Sequence, residues 1–426
     1  MPVDGSILIY APLPVHRDAR GLLVEEQAVD GLKRWAANFP QVTAMMLDDP
    51  GPAPTGWVPV AETGGALDRV RIELLPTAWR PDRFLRQWRP TARRIRGLIG
   101  DSTYLSFAIG GLWGDWGAVA ALEAQAMGRP FAVWIDRVES GVTRNAARAP
   151  GLWRPRLRAR LLHRPMAALE RAVVRRAALG LFQGREVHEV MAPHARGAVE
   201  IVYDVHVGEA ERITPLALDA KVAGAGEGPL RLLYVGRADP MKGTADWIAA
   251  LEALAARGVD FRARWLGDGP DRPHLLARVE AVGLGDRVEA PGWVGDRAAV
   301  LAEIRDAHAY LFCHKTPESA RCLIEALIAG APLLGYGSAF PRGLVERHGG
   351  GVFVERGDVA GLAEAAASLA ADRPRLGRLI RAAAADGAPF TDEAVFRHRS
   401  EVIRRHLPAG GPSVAPGPTT SRAGAE

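Results

Sequence analysis

The chain has 426 residues, of which 48% are hydrophobic and 24% are charged, and its formal net charge is +5. This is the composition of a soluble globular protein, and the length is enough for two domains that each have their own core. No apolar run reaches the roughly 18 residues of a membrane-spanning helix, and the start lacks the regions of a secretory signal. Two cysteines, Cys313 and Cys322, exclude a disulfide framework. We therefore expect a reduced, cytoplasmic protein.

The positive charge is concentrated in the first half of the chain. Residues 1–205 contain 27 Lys and Arg against 21 Asp and Glu, whereas the remainder contains 27 against 28. Segments 79–97 and 144–176 hold seven and ten arginines, each with a single acidic residue. Arg and Trp interleaved with Leu suit an anionic membrane surface or a phosphorylated acceptor. The alternative is a solvated face, because the chain has 50 Arg and only 4 Lys. No recognition module accompanies the charge, so nucleic acid is not an expected partner.

Strand-like and helix-like segments alternate along the whole chain. In the first half, short apolar runs predict strands at 6–12, 42–47, 102–111, 131–136, 180–184 and 199–204, and helical spacing predicts helices at 24–39 and 117–128. In the second half, strands are predicted at 230–237, 261–269, 287–294 and 307–314, and helices at 244–258, 272–283 and 391–407. This alternation predicts two doubly wound α/β domains with ligands at the carboxyl ends of their strands.

The composition also predicts the domain boundaries. We expect a first domain over 1–205, a polar, glycine-rich linker region over 206–228 and a second domain over 229–388. A terminal helix over 389–407 follows, and the Pro, Gly, Ser and Ala of 408–426 predict a disordered tail.

The segment HKTPESARCLIEALIAGAPLLGY (314–336) carries two glutamates, Glu318 and Glu325, seven residues apart. Thr316 is expected to cap a helix whose first residue is Pro317. Seven residues at 100° each place both glutamates on one stripe of that helix. They form either a binding device or, with Arg321 between them, an exposed Glu–Arg–Glu ladder.

The segment YVGRADPMKG (234–243) ends a predicted strand in a Gly-Arg turn and places Lys242 just before a helix. Backbone N–H groups at a helix start, flanked by Arg237 and Lys242, can bind a diphosphate. The alternative is an ordinary strand–turn–helix with solvated basic ends. Lys242 and Lys315, two of the four lysines, both fall in these strand-end segments.

Five segments together resemble a known family. YVGRADPMKG, WLGDGP, VEAPGWVGD, PESARCLIEALIAGAPLLGY and HGGGVFVERGD occur in the order and spacing of the nucleotide-binding domain of GT-B glycosyltransferases, specifically the family 4-like retaining enzymes. The resemblance covers roughly residues 229–385. The first half resembles the acceptor-side domain in its α/β alternation, and 391–407 resembles the GT-B helix that crosses back to that domain. The run TPESARCLIEAL resembles a bacterial exopolysaccharide-type subgroup.

The resemblance implies a nucleotide-diphosphate sugar as donor and a glycan or lipid-linked molecule as acceptor. It also implies roles for individual residues. At the nucleotide, the resemblance implies that Gly236, Arg237 and Lys242 bind the diphosphate. It implies Glu325 for the ribose, and Gly292, Trp293 and Val294 for the base.

The donor sugar is expected near the first glutamate of the pair. The family usually has that glutamate eight positions before the second, where this chain has Pro317. Either Glu318 takes its place from a shifted turn, or the backbone N–H groups around Glu318 and Ser319 hold phosphate or sugar instead. In the first domain, Asp136 stands where the family often has a histidine near the sugar; its alternative is a carboxylate paired with Arg137 or Arg144.

The family also often places a glycine-rich turn after the first strand, which would be 11–23 here, with Gly21 as its only glycine. No Asp-x-Asp metal motif occurs, so Arg237, Lys242 and the turn before residue 317 are expected to stabilise the departing diphosphate without a metal or other cofactor. Retention of the anomeric configuration is implied by the family alone. The rival functions are a GT-B sugar-nucleotide epimerase or hydrolase, and a degenerate GT-B scaffold subunit.

Overall fold

The structure is a computed structural model, and it describes residues 5–54, 56–148, 153–316 and 318–409. The described residues form two compact units. The first comprises the chain up to Gln183, Val187–Val202 and the residues from Phe396 onward; the second comprises Gly184–Glu186 and Tyr203–Val395. The tail expected over 408–426 lies, from residue 410 onward, outside the described residues.

The first half of the chain contains nine strands and six helices within the residues described. The strands are β1 (Ile7–Asp18), β2 (Gly21–Glu25), β3 (Val42–Asp48), β4 (Trp57–Pro59), β5 (Val70–Pro76), β6 (Tyr104–Ala108), β7 (Ala132–Ile135), β8 (Leu179–Gln183) and β9 (Ala198–Val202). The helices are α1 (Glu26–Asn38), α2 (Pro81–Gly100), α3 (Trp116–Ala126), α4 (Glu139–Arg148), α5 (Trp153–Arg176) and α6 (Gly184–Met191).

Seven of these strands form one parallel sheet in the order β5-β3-β1-β6-β7-β8-β9. The inner strands β3, β6, β7 and β8 are apolar and almost completely buried, as expected for a parallel sheet with helices on both faces, whereas the edge strands β5 and β9 are only partly buried. The outer part of β1 pairs instead with the antiparallel strand β2, which in turn pairs with β4. The first unit is thus a Rossmann-like sheet with a small hairpin extension.

The glycine-rich turn expected at 11–23 is not formed. The strand does not stop at Pro12 but continues to Asp18, and its pairing with β3 shifts register between Tyr10 and Pro14. Proline lacks an N–H group, so a strand accommodates it at such an irregularity or at an edge. Gly21 begins the returning strand β2, and the segment is a hairpin.

The second half contains six strands and nine helices within the residues described. The strands are β10 (Leu230–Val235), β11 (Phe261–Leu266), β12 (Val288–Gly292), β13 (Ala309–Phe312), β14 (Leu333–Tyr336) and β15 (Gly351–Val354). The helices are α7 (Pro215–Gly224), α8 (Thr244–Ala256), α9 (Arg272–Ala281), α10 (Arg297–Asp306), α11 (Arg321–Ile328), α12 (Ala339–Leu344), α13 (Val359–Ala371), α14 (Arg373–Gly387) and α15 (Asp392–His406).

All strands of the second sheet are parallel, in the order β12-β11-β10-β13-β14-β15. This is the 3-2-1-4-5-6 order of the Rossmann fold, in which the winding reverses between the first and fourth strands. The reversal therefore lies between β10 and β13, and a ligand crevice is expected at their carboxyl ends.

The segment expected as a linker, 206–228, is folded as part of the second unit. Helix α7 begins behind Thr214, whose hydroxyl accepts a hydrogen bond from the N–H of Ala217 at 3.2 Å. Lys221 of this helix is buried, with Nζ 3.4 Å from the carbonyl oxygens of Ile304 and Ala329.

From Phe396 onward, the terminal helix α15 belongs to the first unit. The Phe396 ring lies 5.5 Å from that of Trp35, and the Arg399 guanidinium lies 4.8 Å from the ring centre of Trp134. No helix within the described ranges is long and apolar enough to cross a membrane.

Candidate functional site

The crevice between β10 and β13 brings together the two motifs that the sequence singled out. The connection after β10 carries Arg237 and a 3₁₀ turn, Pro240–Lys242. The connection after β13 carries His314 and Glu318. Because both strands end at the same edge of the sheet, residues 76 positions apart in the chain become neighbours.

The turn that carries Lys242 is fixed against the end of β13. Gly243 follows it with φ +75°, and a Cβ atom there would lie 2.1 Å from the carbonyl oxygen of Cys313. Only glycine has this conformational freedom and allows so close an approach. The N–H of Lys315 donates to the carbonyl of Met241 at 2.8 Å, which ties the two connections together.

Lys242 and Glu318 form an ion pair in this crevice. Nζ of Lys242 lies 2.7 and 2.6 Å from the two carboxylate oxygens, and each side chain is about one-fifth exposed (19% and 23%). The pair is therefore partly desolvated, and its attraction exceeds that of a surface pair.

A buried histidine holds the other side of Glu318. Nδ1 of His314 lies 3.2 Å from the carboxylate, and Nε2 lies 2.9 Å from the Tyr234 hydroxyl. Burial lowers the pKa of His314 well below its usual range and raises the pKa of Tyr234 well above its own. The imidazole is thus neutral. Because a carboxylate can only accept, the ring proton is assigned to Nδ1, which faces Glu318, and Nε2 then accepts from the Tyr234 hydroxyl.

The helix expected to begin at Pro317 begins later. Helix α11 starts at Arg321 with Ala320 as its N-cap residue, so the prediction that Thr316 caps it is wrong. The position of Pro317 itself lies outside the described residues. Glu318 precedes the helix because its carboxylate is held by Lys242 and His314, away from the helix axis.

The two glutamates consequently do not share a helical stripe, and the Glu–Arg–Glu ladder is absent from the described contacts. Arg321 instead pairs with Asp204, with Nε 3.3 Å from the carboxylate. Glu325 lies within α11, is only 8% exposed, and accepts a hydrogen bond from Arg297 at 3.0 Å.

A cavity of about 790 Å³ opens at the carboxyl ends of β10, β11 and β12. The predicted site residues that line it are Gly236, Arg237, Trp293 and Val294. Arg237 is exposed and forms no ion pair with any residue that the structure describes. The ring of Trp293 is 79% exposed at the rim, where it can stack on a planar ligand.

The floor of this cavity is bare backbone. A Cβ atom on Gly267 would lie 2.1 Å from the carbonyl oxygen of Gly236, and Gly267 has φ +141°. The N–H of Gly236 donates to the Leu266 carbonyl at 2.9 Å. The carbonyl oxygen of Gly292, which ends β12, accepts a hydrogen bond from the N–H of Gly267 at 2.8 Å. A ligand can therefore approach the main chain closely here.

The remaining predicted residues lie around these groups or in the first unit. Ser319 lies between β13 and α11, next to Glu318. Asp136 is exposed in the turn after β7 of the first unit, and Arg137 donates to Glu139 at 2.7 Å. In the same unit, the buried carboxylate of Asp115 caps α3. The sequence analysis did not identify this residue.

Several contacts in the second unit were not found from the sequence. His314 was considered structural, and neither Tyr234 nor Arg297 was considered at all. The one available signal was that Tyr234 and His314 lie near the ends of two predicted strands, but their contact depends on the strand order. Lys315 pairs with Asp246 rather than facing the cavity.

No group of three or more His, Cys, Asp or Glu side chains in the described segments could hold a metal ion. The crevice contains instead two cations, Lys242 and Arg237, and a carboxylate, which suits the binding of an anionic ligand with hydroxyl groups.

Comparisons with known proteins agree with this architecture. Residues 218–386 match the family described as glycosyl transferases group 1. A 2-deoxystreptamine N-acetyl-D-glucosaminyltransferase of Streptomyces fradiae is 30% identical over 272 residues, which are 60% of this chain and 63% of that protein. A 2-deoxystreptamine glucosyltransferase of Streptomyces kanamyceticus is 28% identical over 185 residues, which are 42% and 47% of the two chains. The chain thus spans less than two thirds of the curated relatives it matches.

The fold is shared much more widely than the sequence. The crystal structure of Anabaena Alr3699/HepE in complex with UDP superposes with a TM-score of 0.65 and 15% identity, over 94% of this chain and 100% of that chain. The chain therefore has the GT-B fold, and residues 218–386, in its second unit, are similar to the glycosyl transferases group 1 family. The resemblance to glycosyltransferases that the motifs indicated and the predicted GT-B fold are both confirmed.

Proposed function

We propose that this chain is a glycosyltransferase that moves a sugar from a nucleotide-diphosphate sugar to a glycan or lipid-linked acceptor, in the biosynthesis of a cell-surface polysaccharide or glycoconjugate. The observation that carries the proposal is the crevice at the reversal of the second sheet. There, a cavity with an unpaired arginine adjoins a connection that presents Lys242 and Glu318. Such a crevice is where open α/β sheets bind nucleotides.

The donor diphosphate binds Arg237 and Lys242, with the backbone at Gly236 close to it. Lys242 is engaged by Glu318 in the absence of donor, so the diphosphate displaces that carboxylate from the ammonium group. Glu318, still held by His314, then accepts hydrogen bonds from hydroxyl groups of the sugar. Binding and sugar recognition are in this way coupled through one ion pair.

The nucleoside binds at one end of the diphosphate, and the donor sugar lies at the other. Glu325 accepts hydrogen bonds from the ribose hydroxyls, and the hydrogen bond from Arg297 holds its buried carboxylate in position. The base stacks on Trp293, between the backbone of Gly292 and Val294. Ser319 supplies a backbone N–H to phosphate or sugar.

The chemistry requires stabilisation of the departing nucleoside diphosphate. Arg237 and Lys242 stabilise its developing negative charge in place of a divalent cation, which makes the transfer metal-independent. The anomeric configuration is retained, as in the enzymes that the motifs resemble.

The acceptor side involves a membrane surface. Exposed apolar side chains lie among the arginines of α2 and α5: Leu85, Trp88, Trp153, Leu157 and Leu161. This pattern suits the inner face of an anionic membrane. Flotation with phosphatidylglycerol vesicles should recover more protein than flotation with phosphatidylcholine vesicles, and equal recovery would count against membrane contact. The curated relatives named above act on 2-deoxystreptamine, an alternative acceptor class that the charge of the first unit does not favour.

The proposal is tested by donor turnover in the presence and absence of a lipid extract. We expect radiolabelled sugar to move from the donor to extractable material. Glu325→Ala should weaken donor binding by about 10-fold or more, because a buried hydrogen-bonded carboxylate is worth roughly 1.5–3 kcal/mol.

Glu280→Ala, which changes an exposed glutamate of α9, is the matched control and should leave donor binding unchanged. Unaltered donor affinity in folded Glu325→Ala would remove Glu325 from the ribose site. Donor consumption without any acceptor would favour the hydrolase or epimerase, and binding without turnover would favour the scaffold.

A further inference from the structure

A second cavity, of about 580 Å³, lies in the first unit at the carboxyl edge of its sheet. Its walls come from three connections that follow β5, β6 and β7, and from α5. The residues that matter here are Trp79, Trp113, Arg154, Arg158, Leu162 and Met166. Because open α/β sheets bind ligands at this edge, the groove lies where a substrate of the first unit would bind.

The aromatic wall of the groove is fixed by backbone packing. Gly114 has φ +76°, and a Cβ atom there would lie 2.8 Å from the carbonyl group of Ala78. This contact holds the connection after β6 against the one after β5, so that Trp113 and Trp79 are presented together. The Trp113 ring also packs edge-on to Phe84 at 5.8 Å.

The opposite wall is held by contacts between α4 and α5. The hydroxyl of Thr143 lies 3.6 Å from the sulfur of Met166 at the groove floor. Further along, the buried carboxylate of Glu170 accepts the N–H of Ser140 at 2.9 Å. The groove is therefore a preformed feature of the unit, not a gap between mobile side chains.

Helix α5 presents two adjacent stripes. Trp153, Leu157 and Leu161, spaced four residues apart, are 67%, 46% and 66% exposed. The residues that directly follow these three, Arg154, Arg158 and Leu162, form the second stripe and line the groove. An exposed apolar ridge thus runs beside an apolar groove, and two guanidinium groups stand at the groove's rim.

The side chains that line the groove indicate the chemistry of its ligand. Its lining contains two arginines and no carboxylate, and neither Arg154 nor Arg158 forms an ion pair within the described part of the chain. Guanidinium groups bind phosphate oxygens through paired, charge-assisted hydrogen bonds, and the Trp, Leu and Met side chains match a hydrocarbon chain. A cationic ligand would be repelled by the two guanidinium groups.

We infer that this groove is the acceptor site and that it takes the phosphate-linked end of a membrane lipid, with the chain against Trp79, Trp113 and Leu162 and the phosphate on Arg154 and Arg158. This inference rests on the proposed transferase function. The exposed ridge of α5 lies at the membrane surface and delivers the lipid to the groove.

Titration calorimetry of the full chain with farnesyl diphosphate, a soluble prenyl diphosphate, tests the inference without any donor. We expect binding to the unaltered protein, with Arg158→Glu weakening it by about 10-fold or more because a phosphate contact becomes a repulsion. Arg160→Glu makes the same charge change on an exposed residue of α5 outside the groove and should alter the affinity by less than about 2-fold. Farnesol and inorganic diphosphate, which each offer half of the ligand, should bind more weakly than farnesyl diphosphate.

Arg158→Gln provides a milder change should the charge reversal perturb folding. Equal affinity of the Arg158 and Arg160 variants, or tighter binding of a cationic diaminocyclitol than of farnesyl diphosphate, would overturn the inference. The donor-induced shift in melting temperature is measured on the same samples. If the donor causes no shift but farnesyl diphosphate still binds, the transferase function is rejected. If the donor causes the shift but farnesyl diphosphate does not bind, only the assignment of the groove is rejected.

Discussion

Lys242 and Glu318 neutralise each other in the crevice of the second unit, so any phosphate that binds Lys242 competes with a carboxylate already in contact with it. In the proposed donor site, Glu318 has two opposite effects. It competes with the diphosphate for Lys242, and it binds the hydroxyl groups of the sugar.

Glu318→Gln should separate these two effects. We expect nucleoside diphosphates to bind about 2- to 5-fold more tightly, since a partly exposed ion pair is worth up to about 1 kcal/mol, while turnover of the sugar donor falls. Calorimetry with the nucleotide and steady-state kinetics with the sugar donor measure the two quantities. Weaker nucleotide binding in this variant would show that Glu318 does not compete with the donor.

In the proposed site, His314 and Tyr234 are positioning residues, because His314 contacts Glu318 and Tyr234 contacts His314. Tyr234→Phe removes the donor that fixes the His314 tautomer, and we expect kcat to fall by about 3- to 10-fold, the effect of one hydrogen bond, with KM for the donor little changed. His314→Gln keeps a donor group toward Glu318 and should retain more activity than His314→Leu. Equal loss in these two variants would mean that His314 has only a packing role.

At the scale of elements, the position of Lys242 depends on the packing of one turn against one strand. Gly243→Ala introduces a methyl group 2.1 Å from the Cys313 carbonyl at a positive φ. We expect the turn to move, the melting temperature to fall and nucleotide binding to be lost. Gly258→Ala has a similar φ of +72° but no atom within 4 Å, so it should cost only about 1–2 kcal/mol of conformational strain and leave binding unchanged. Similar binding losses in both variants would contradict this account.

The buried Lys221 of helix α7 destabilises the folded protein by an amount that depends on pH. Burial lowers the pKa of Lys221 from its ordinary 10.5 to about 7. Between these values the unfolded chain binds a proton that the folded chain does not, so the free energy of unfolding should rise with pH across this window. Below about pH 7 the folded protein must hold a buried ammonium group.

Lys221→Met should therefore stabilise the protein by about 1–3 kcal/mol near pH 6, as replacement of a buried charge often does, and by less near pH 10. Melting temperatures of the variant and the unaltered protein at the two pH values check this. A difference that grows with pH would have the wrong sign. Lys33→Met, on the surface helix α1, is the control and should show no such dependence.

The elements also show where sequence reasoning was sufficient. Apolar runs located most strands of the two parallel sheets because buried parallel strands are continuous hydrophobic segments. They missed the edge strands β5 and β15, which are only partly buried. The start of α11 was misplaced because Thr-Pro is a strong local signal for a helix start, whereas the position of Glu318 depends on Lys242, 76 residues earlier. The first strand was ended too early for a similar reason: Pro12 and Pro14 are absorbed at a register shift.

The prediction of site residues also depended on whether the signal was local in the sequence or arose only from the strand order. Arg237, Glu325 and Trp293 were named from motifs within single segments. Tyr234 and His314 were not, because their contact exists only once β10 and β13 are adjacent in the sheet. Local motifs therefore reveal the groups that face a ligand more readily than the groups that orient them.

For the whole molecule, the two parallel sheets share one strand order, with the reversal of winding between β1 and β6 in the first and between β10 and β13 in the second. The GT-B fold persists at 15% identity to a solved structure, because this order constrains buried apolar runs and turns rather than particular side chains. Ligand specificity resides in the connections at the carboxyl ends, where the sequences differ.

The most direct test of the account is a thermal-shift screen of the whole chain against UDP-, GDP-, ADP- and dTDP-sugars, each with and without EDTA. Ligands that bind the native state raise the melting temperature. The account predicts a clear shift with one nucleotide class that EDTA does not change and that Lys242→Ala reduces. A shift that EDTA abolishes, or no shift with any of the four classes, would contradict a metal-independent donor site in the second unit.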